Sequence, residues 1–252
     1  MKAFFKKFSR RVRKLFMTKA TIRESWVKGP AGTRSDVEFH SWFDKTSSVE
    51  ETVMRARSDW EQRICKFESF EALPKGTCLE IGFGGGRLLK AASATFDLVM
   101  GVDIHDAFDR TRQFLDSQGV ANYRLYHRRQ LAEIPSGSVD FVFSFIVFQH
   151  FDTFEEVDFY LSEINRVLKE GRLAHIFFGK CPEVGVRVTR DEDFWKRACS
   201  LFVEPGFFRE QLSKSGFEVL EFEDLMPKRV DQPLSETNQS GQARVLFRKR
   251  KP

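Results

Sequence analysis

The sequence predicts an α/β fold: a mostly parallel sheet with helices on both faces, an antiparallel last strand, and a helical extension ahead of it. Three observations carry this. Short β-rich runs alternate with helical segments from residue 77 onward. A glycine-dense turn, LEIGFGGGRLL (Leu79–Leu89), joins the first run to the helix after it. Upstream, Ser48-Val49-Glu50-Glu51 fits a capping box, with Ser48 as N-cap and Glu51 three residues on.

The chain divides into three parts by pattern. Residues 1–20 form a basic amphipathic arm, residues 21–75 a helical extension that covers the site as a lid, and residues 76–252 the sheet domain. The arm holds eight of the 41 Lys and Arg residues and no acid, so residues 21–252 carry 33 basic against 36 acidic side chains, a net −3. A mildly acidic body argues against a nucleic-acid-binding face. Phe4, Phe5, Phe8, Val12, Leu15 and Phe16 share one helical face of the arm, with cations around them. Such a helix suits an anionic membrane interface. Docking on its own domain, a disordered basic tail, and binding of nucleic acid or another acidic partner are the alternatives. Charge interrupts the apolar residues throughout, so a signal peptide is not expected, and no run reaches the roughly 18 apolar residues of a spanning helix. The expected location is cytoplasmic, peripheral at the inner membrane face through the arm. Cys65, Cys78, Cys181 and Cys199 form no CxxC pair, so reduced thiols without a metal are expected.

From Ser48 a helix should run to about Phe70 and turn Val53, Met54, Trp60, Ile64 and Phe67 inward, with Pro74-Lys75-Gly76 ending the unit. Seven strands follow, at 77–82, 98–103, 123–127, 139–145, 172–178, 217–222 and 243–248. Helices fill the gaps at about 86–95, 107–118, 154–168 and 205–215. The last two strands have no helical pattern between them, so a hairpin would make the last one antiparallel.

In an open α/β sheet, ligands bind beyond the carboxyl ends of the strands. The glycine turn is in that place. A P-loop needs GxxxxGK[ST], and no such Lys follows. A dinucleotide GxGxxG counted from Gly82 needs glycine at 87, which is Arg87; counted from Gly84 it needs glycine at 89, which is Leu89. The spacing present is Gly82-x-Gly84-x-Gly86, with Glu80 ahead of it. Asp103 ends the second strand, 17 residues after Gly86. A carboxylate there accepts both hydroxyls of a ribose; a helix N-cap is its plainer use. Glycine turn and acid together point to a nucleoside.

These segments resemble the class I S-adenosylmethionine-dependent methyltransferases, a Rossmann-like family. LEIGFGGGR resembles the E/D-x-G-x-G-x-G motif, GVDI the second motif, IPSGSVDFVFSF the fourth-strand segment, and EINRVLKEGRLAHIFF the helix and fifth strand. The match covers roughly residues 76–178, with a looser tail to 248. The resemblance implies S-adenosylmethionine as cofactor and a seven-stranded sheet. It also implies roles. Gly82, Gly84 and Gly86 let backbone approach the donor, Glu80 orients its ammonium end, Asp103 holds the ribose, and Ile104 packs on the adenine. Phe83, Leu131 and Ser144 complete the expected cofactor contacts. Gln130 stands where many relatives carry an Asp for the adenine amine, and Phe83 stands where they keep a small residue or Cys.

Methyl transfer from a sulfonium needs alignment of the acceptor and, at most, removal of its proton. His150, near the crevice in FSFIVFQHF, is the candidate general base, or a residue that shapes the loop. Gln149 is beside it, and His40 and Trp42, with Phe43, are lid candidates for substrate contact or simple domain packing. His175, inside a strand run, reads as a core residue. The fourth strand ends SFIV rather than [DN]PP[YF], which argues against amino methylation of DNA bases. The expected function is methyl transfer to an oxygen or nitrogen of a small molecule or of a glycan- or lipid-linked intermediate. A nucleotide or dinucleotide enzyme on a similar sheet, and a non-catalytic donor-binding module, are the alternatives.

Overall fold

The computed structural model describes residues 19–181, 186–190, 201–225 and 241–251. The predicted arm lies outside them, apart from the backbone of residues 19 and 20. Helices α1 (Lys19–Lys28), α2 (Asp36–Asp44) and α3 (Val49–Asp59) precede the sheet. The strands of the sheet are β1 (Thr77–Ile81), β2 (Leu98–Asp103), β3 (Tyr123–His127), β4 (Val139–Ser144), β5 (Leu168–Lys180), β6 (Val188–Arg190), β7 (Leu201–Val203), β8 (Phe217–Asp224) and β9 (Gly241–Lys249). Helices α4 (Arg87–Ser93), α5 (Phe108–Ser117), α6 (Phe154–Val167) and α7 (Pro205–Lys214) connect them.

The sheet runs β3-β2-β1-β4-β5 in parallel; β9 then pairs antiparallel with β5, and β8 antiparallel with β9. Strand order therefore reverses beside β1 and β4, and the crevice opens at their carboxyl ends. The two short strands β6 and β7 pair with each other, and Val203 of β7 pairs with Lys180, past the Ser144–Ile176 pair that ends β4. The other edge of Lys180 pairs with Gly241, so β7 takes over the place in the sheet that β4 vacates.

Two expectations for the extension need correction. The helix from Ser48 keeps its N-cap, with Ser48 Oγ accepting from the Glu51 N–H (3.1 Å), but Glu51 reaches back to the Ser47 N–H (2.7 Å) instead of Ser48. The helix turns Thr52, Ala56 and Asp59 inward and leaves Met54 67% exposed. A π-turn, Trp60–Ile64, then rephases the chain and ends the helical segment well before Phe70. It brings Trp60 and Ile64 onto the sheet. The extra residue per turn is invisible to a 3.6-residue periodicity, so one continuous stripe could not fit both halves.

Phenylalanine fills the layer between extension and sheet. Trp60 meets Phe143 edge-on at 5.3 Å, Phe67 packs on Phe70 at 5.4 Å, and Phe96 stacks on Phe141 at 6.1 Å. Aromatic pairs of this kind contribute about 0.5–1.5 kcal/mol each beyond their buried area. This use explains part of the bias to 28 Phe against 3 Tyr, because a ring buried on both sides has no partner for a hydroxyl. Glu170-Gly171-Arg172 forms a bulge where β5 slips against β4, with Gly171 at φ +72°. Buried Asp140 anchors it by accepting from Lys169 Nζ (2.7 Å) and from the Thr77 N–H (3.0 Å). Among the described residues no helix is long and apolar enough to cross a membrane.

Candidate active site

A cavity of about 190 Å³ sits at the carboxyl ends of β1, β2 and β4. The sequence requires backbone without side chains on its β1 side. Gly82 has φ +80°, and a Cβ there would stand 2.3 Å from Val147 Cγ2. Gly84 has φ +51°, and its Cβ would stand 2.9 Å from the Phe43 ring. Left-handed φ with a blocked Cβ direction leaves glycine as the fitting residue.

Asp103 closes the β2 side. Its Oδ2 accepts from the Gly84 N–H (2.8 Å) and its Oδ1 from the Ile104 N–H (2.6 Å). An ionised carboxylate has about four lone-pair sites, so acceptor capacity remains toward the cavity. His105 Nδ1 accepts from the Ala107 N–H (3.0 Å), which leaves Nε2–H to donate to the Gly84 carbonyl (3.0 Å); the Thr111 hydroxyl donates to the same carbonyl (3.0 Å). Every polar group of the Gly84 peptide is thus pinned.

Glu80 lies at the floor, 2% exposed. Its Oε2 is buried with no hydrogen-bond partner. Burial pushes its carboxyl well above the usual range; Asp103 and Asp44 add to this, and Arg87 opposes it. Arg87 begins α4 and its side chain is buried. Nε donates to Asp44 Oδ1 of α2 (2.5 Å) and Nη1 to Asp59 Oδ2 of α3 (2.8 Å). The residue that denies a dinucleotide glycine therefore ties both lid helices to the glycine turn. Ile146, after β4, lines the cavity with φ +61°, a strained conformation for a β-branched residue. Trp26, Phe43, Phe145, Phe151 and Tyr160 give the cavity an aromatic wall. Trp26 lies 5.1 Å from the His150 ring. Burial, with Lys45 adding, holds His150 down to about 4.

Residues 79–176 match a family model described as a methyltransferase domain. The chain carries a class I S-adenosylmethionine-dependent methyltransferase domain. Its cofactor is S-adenosylmethionine. Solved structures share the methyltransferase fold at low identity. The [4+2]-cyclase SpnF superposes with TM-score 0.60 at 16% identity, over 81% of this chain and 82% of that one. The 1,6-didemethyltoxoflavin-N1-methyltransferase of Burkholderia thailandensis, holding 1,6-didemethyltoxoflavin and S-adenosylhomocysteine, gives 0.58 at 15%, over 83% and 81%. An S-adenosylmethionine-dependent methyltransferase from Clostridium acetobutylicum gives 0.56 at 14%, over 78% and 92%. No curated protein matches the sequence.

The methyltransferase cavity gathers Glu80, Gly82, Phe83, Gly84, Asp103, Ile104 and His150 on its wall. Gly86 lies just outside it, as the left-handed N-cap of α4, where a Cβ would meet Thr111 Cγ2 at 2.8 Å. Other expected residues are elsewhere. Gln130 is exposed, and its amide oxygen accepts from the His127 N–H (3.0 Å) to cap a 3-10 turn, so it faces away from the cavity. The Ser144 hydroxyl donates to the Ile81 carbonyl (2.9 Å), and Leu131 is core. Gln149 is buried and accepts from Gln242 Nε2 (2.8 Å). His40 is buried behind Gly85, against Phe39 and Phe114. Trp42 turns outward, 38% exposed, over Gly29. From the lid extension it is Trp26, and Phe43 and Asp44 next to Trp42, that reach the cavity.

S-adenosylmethionine fits what the residues present. The glycine cradle admits a flat ligand against bare backbone, and the orphaned Glu80 oxygen suits an ammonium.

Proposed function

We propose that this methyltransferase acts on an oxygen or nitrogen of a small molecule, which sits against the aromatic wall. The supporting observation is that wall: Trp26, Phe43, Phe145, Phe151 and Tyr160 stand beside the glycine turn with one histidine among them. Apolar pockets with few polar groups are the usual form of small-ligand sites. The N1-methyltransferase of similar fold holds a small molecule beside its spent cofactor. A glycan- or lipid-linked acceptor is the variant of this reading that the basic arm, residues 1–20, would favour by bringing the site to an anionic surface.

Bound S-adenosylmethionine supplies an electrophilic methyl group. The chain supplies placement. Asp103 would take the ribose hydroxyls on its remaining lone pairs, Ile104 and Trp26 would flank the base, and Glu80 would take the ammonium. Neutral His150 accepts a hydrogen bond from the acceptor and so aims its lone pair. With a pKa of about 4 it does not retain the released proton at neutral pH, which passes to solvent. His150 is thus an orienting group more than a strong base, and the aromatic wall excludes water from the transfer.

The test uses radiolabelled donor with cell extract. Label should appear in the small organic-soluble fraction. Label found only in protein or nucleic acid would overturn the acceptor class. Sedimentation of the full chain and of a chain lacking residues 1–20 with anionic vesicles decides the membrane variant; equal pelleting removes it.

A further inference from the structure

We infer that Asp44, from the lid helix α2, is a second carboxylate for the ammonium at the methionine end of the donor. The inference rests on the donor reading of the cavity. Asp44 lines the same cavity as Glu80. Its side chain is 11% exposed. Oδ1 accepts from Arg87 Nε, whereas Oδ2 is buried without a hydrogen-bond partner, as is Glu80 Oε2. Two carboxylates from separate parts of the fold, lining one cavity, therefore each keep one buried, unpaired oxygen. Leaving such an oxygen unpaired is unfavourable, so the arrangement calls for a ligand that donates hydrogen bonds.

The charge balance says which ligand. Glu80, Asp44 and Asp103 line the cavity against the single guanidinium of Arg87, and that group already donates to Asp44 and Asp59. The wall's one Lys or Arg cation is therefore already engaged, and the carboxylates outnumber it. An ammonium carries three N–H donors on a compact charge and can meet both oxygens at once. The donor brings one such group, and the Glu80 floor under the glycine turn is where that end lies. Burial raises the Asp44 carboxyl as it does that of Glu80, with Arg87 opposing in both, and a cation arriving between them would act in the same sense as Arg87. Asp44 lies next to Phe43, which packs on Gly84. Occupation of the ammonium site would thus hold the lid on the turn.

Calorimetry of the full chain with S-adenosylhomocysteine and with its desamino analogue tests this. The wild type should prefer S-adenosylhomocysteine on the order of 100-fold, and Asp44→Asn should reduce that preference about 10-fold while leaving the desamino analogue nearly unchanged. Asparagine can still accept from Arg87, so the lid tie survives; thermal melts check this. Asp44→Glu should regain part of the preference. Asp59→Asn likewise neutralises an Arg87 partner, one that does not line the cavity, and should keep the full preference. Equal weakening of both ligands by Asp44→Asn, or of neither, overturns the inference. Failure of both ligands to bind the wild type overturns the donor reading itself.

Discussion

Gly82→Ala is the sharpest probe of the turn. The structure makes two separate demands on residue 82. Its φ of +80° costs an L-residue roughly 1–2 kcal/mol. A Cβ there would also stand 2.3 Å from Val147 Cγ2 and 2.7 Å from Cγ1, an overlap that a packed site relieves at about 1–3 kcal/mol. Together the variant should lose about 2–5 kcal/mol, a large share of the stability of an ordinary domain. Urea denaturation with an unchanged slope reads this directly. Truncating Val147 to Ala removes both Cγ atoms and leaves only Cβ at 3.0 Å, so the double variant should recover the steric part and keep the backbone part. A double-mutant cycle isolates that coupling. Gly82→Ala within about 0.5 kcal/mol of wild type, or a cycle with no coupling, would refute the reasoning.

Three further expectations follow from the same geometry. Asp103→Ala should weaken S-adenosylhomocysteine on the order of 100-fold in calorimetry, from two lost charge-assisted hydrogen bonds; unchanged affinity would sink the nucleoside assignment. Arg87→Leu should destabilise by about 3–5 kcal/mol in denaturation, because Asp44 loses its hydrogen-bonded cation and Asp59 keeps only the longer contact to Arg63 (3.6 Å); a neutral effect would mean the tie is idle. His175, 1% exposed and donating to the Ile64 carbonyl, is held down to about 4 by burial. The unfolded chain takes this proton near 6.5 and the folded chain only near 4, so stability falls by roughly 3 kcal/mol as pH drops through that window. His175→Phe should be less stable at pH 7 yet lose less on acidification; parallel acid-unfolding curves would contradict this.

Most of the sheet is legible because strand–helix alternation is a local signal. The seven predicted strands occur at or within a few residues of their expected bounds, as do the four connecting helices. β6 and β7 are three residues each, too short for any period to show. The β1–β2 side of the cavity is legible for a similar reason: Glu80, Gly82, Gly84 and Asp103, which line it, are fixed by spacing along two adjacent strands. The lid side is not. Asp44 meets Arg87 across 43 residues, and no local pattern says which acid in the lid turns inward. His40 and Trp42 attract attention as chemistry-bearing residues, yet the helix aims Phe43 and Asp44 at the cavity instead. Gln130 shows the opposite failure, because motif position pointed to the adenine while a local capping bond took the side chain.

Phe83 is large where the motif's resemblance leads one to expect something small, and the structure shows what makes room for it. The ring meets His105 at 5.2 Å and Phe108 at 4.9 Å, and its Cδ1 lies only 2.6 Å from where a Cβ on Gly101 would be. Gly101 sits within β2, where glycine weakens a strand. The two positions work as a matched pair, one giving up the volume that the other takes. Either single change is disfavoured by itself: a side chain at 101 drives the ring into the donor crevice, and a small residue at 83 leaves a void beside a weak strand. Once both are present, each protects the other against reversion. In a pool of variants randomised at both positions and selected for donor binding, bulk at 83 and bulk at 101 should therefore exclude one another.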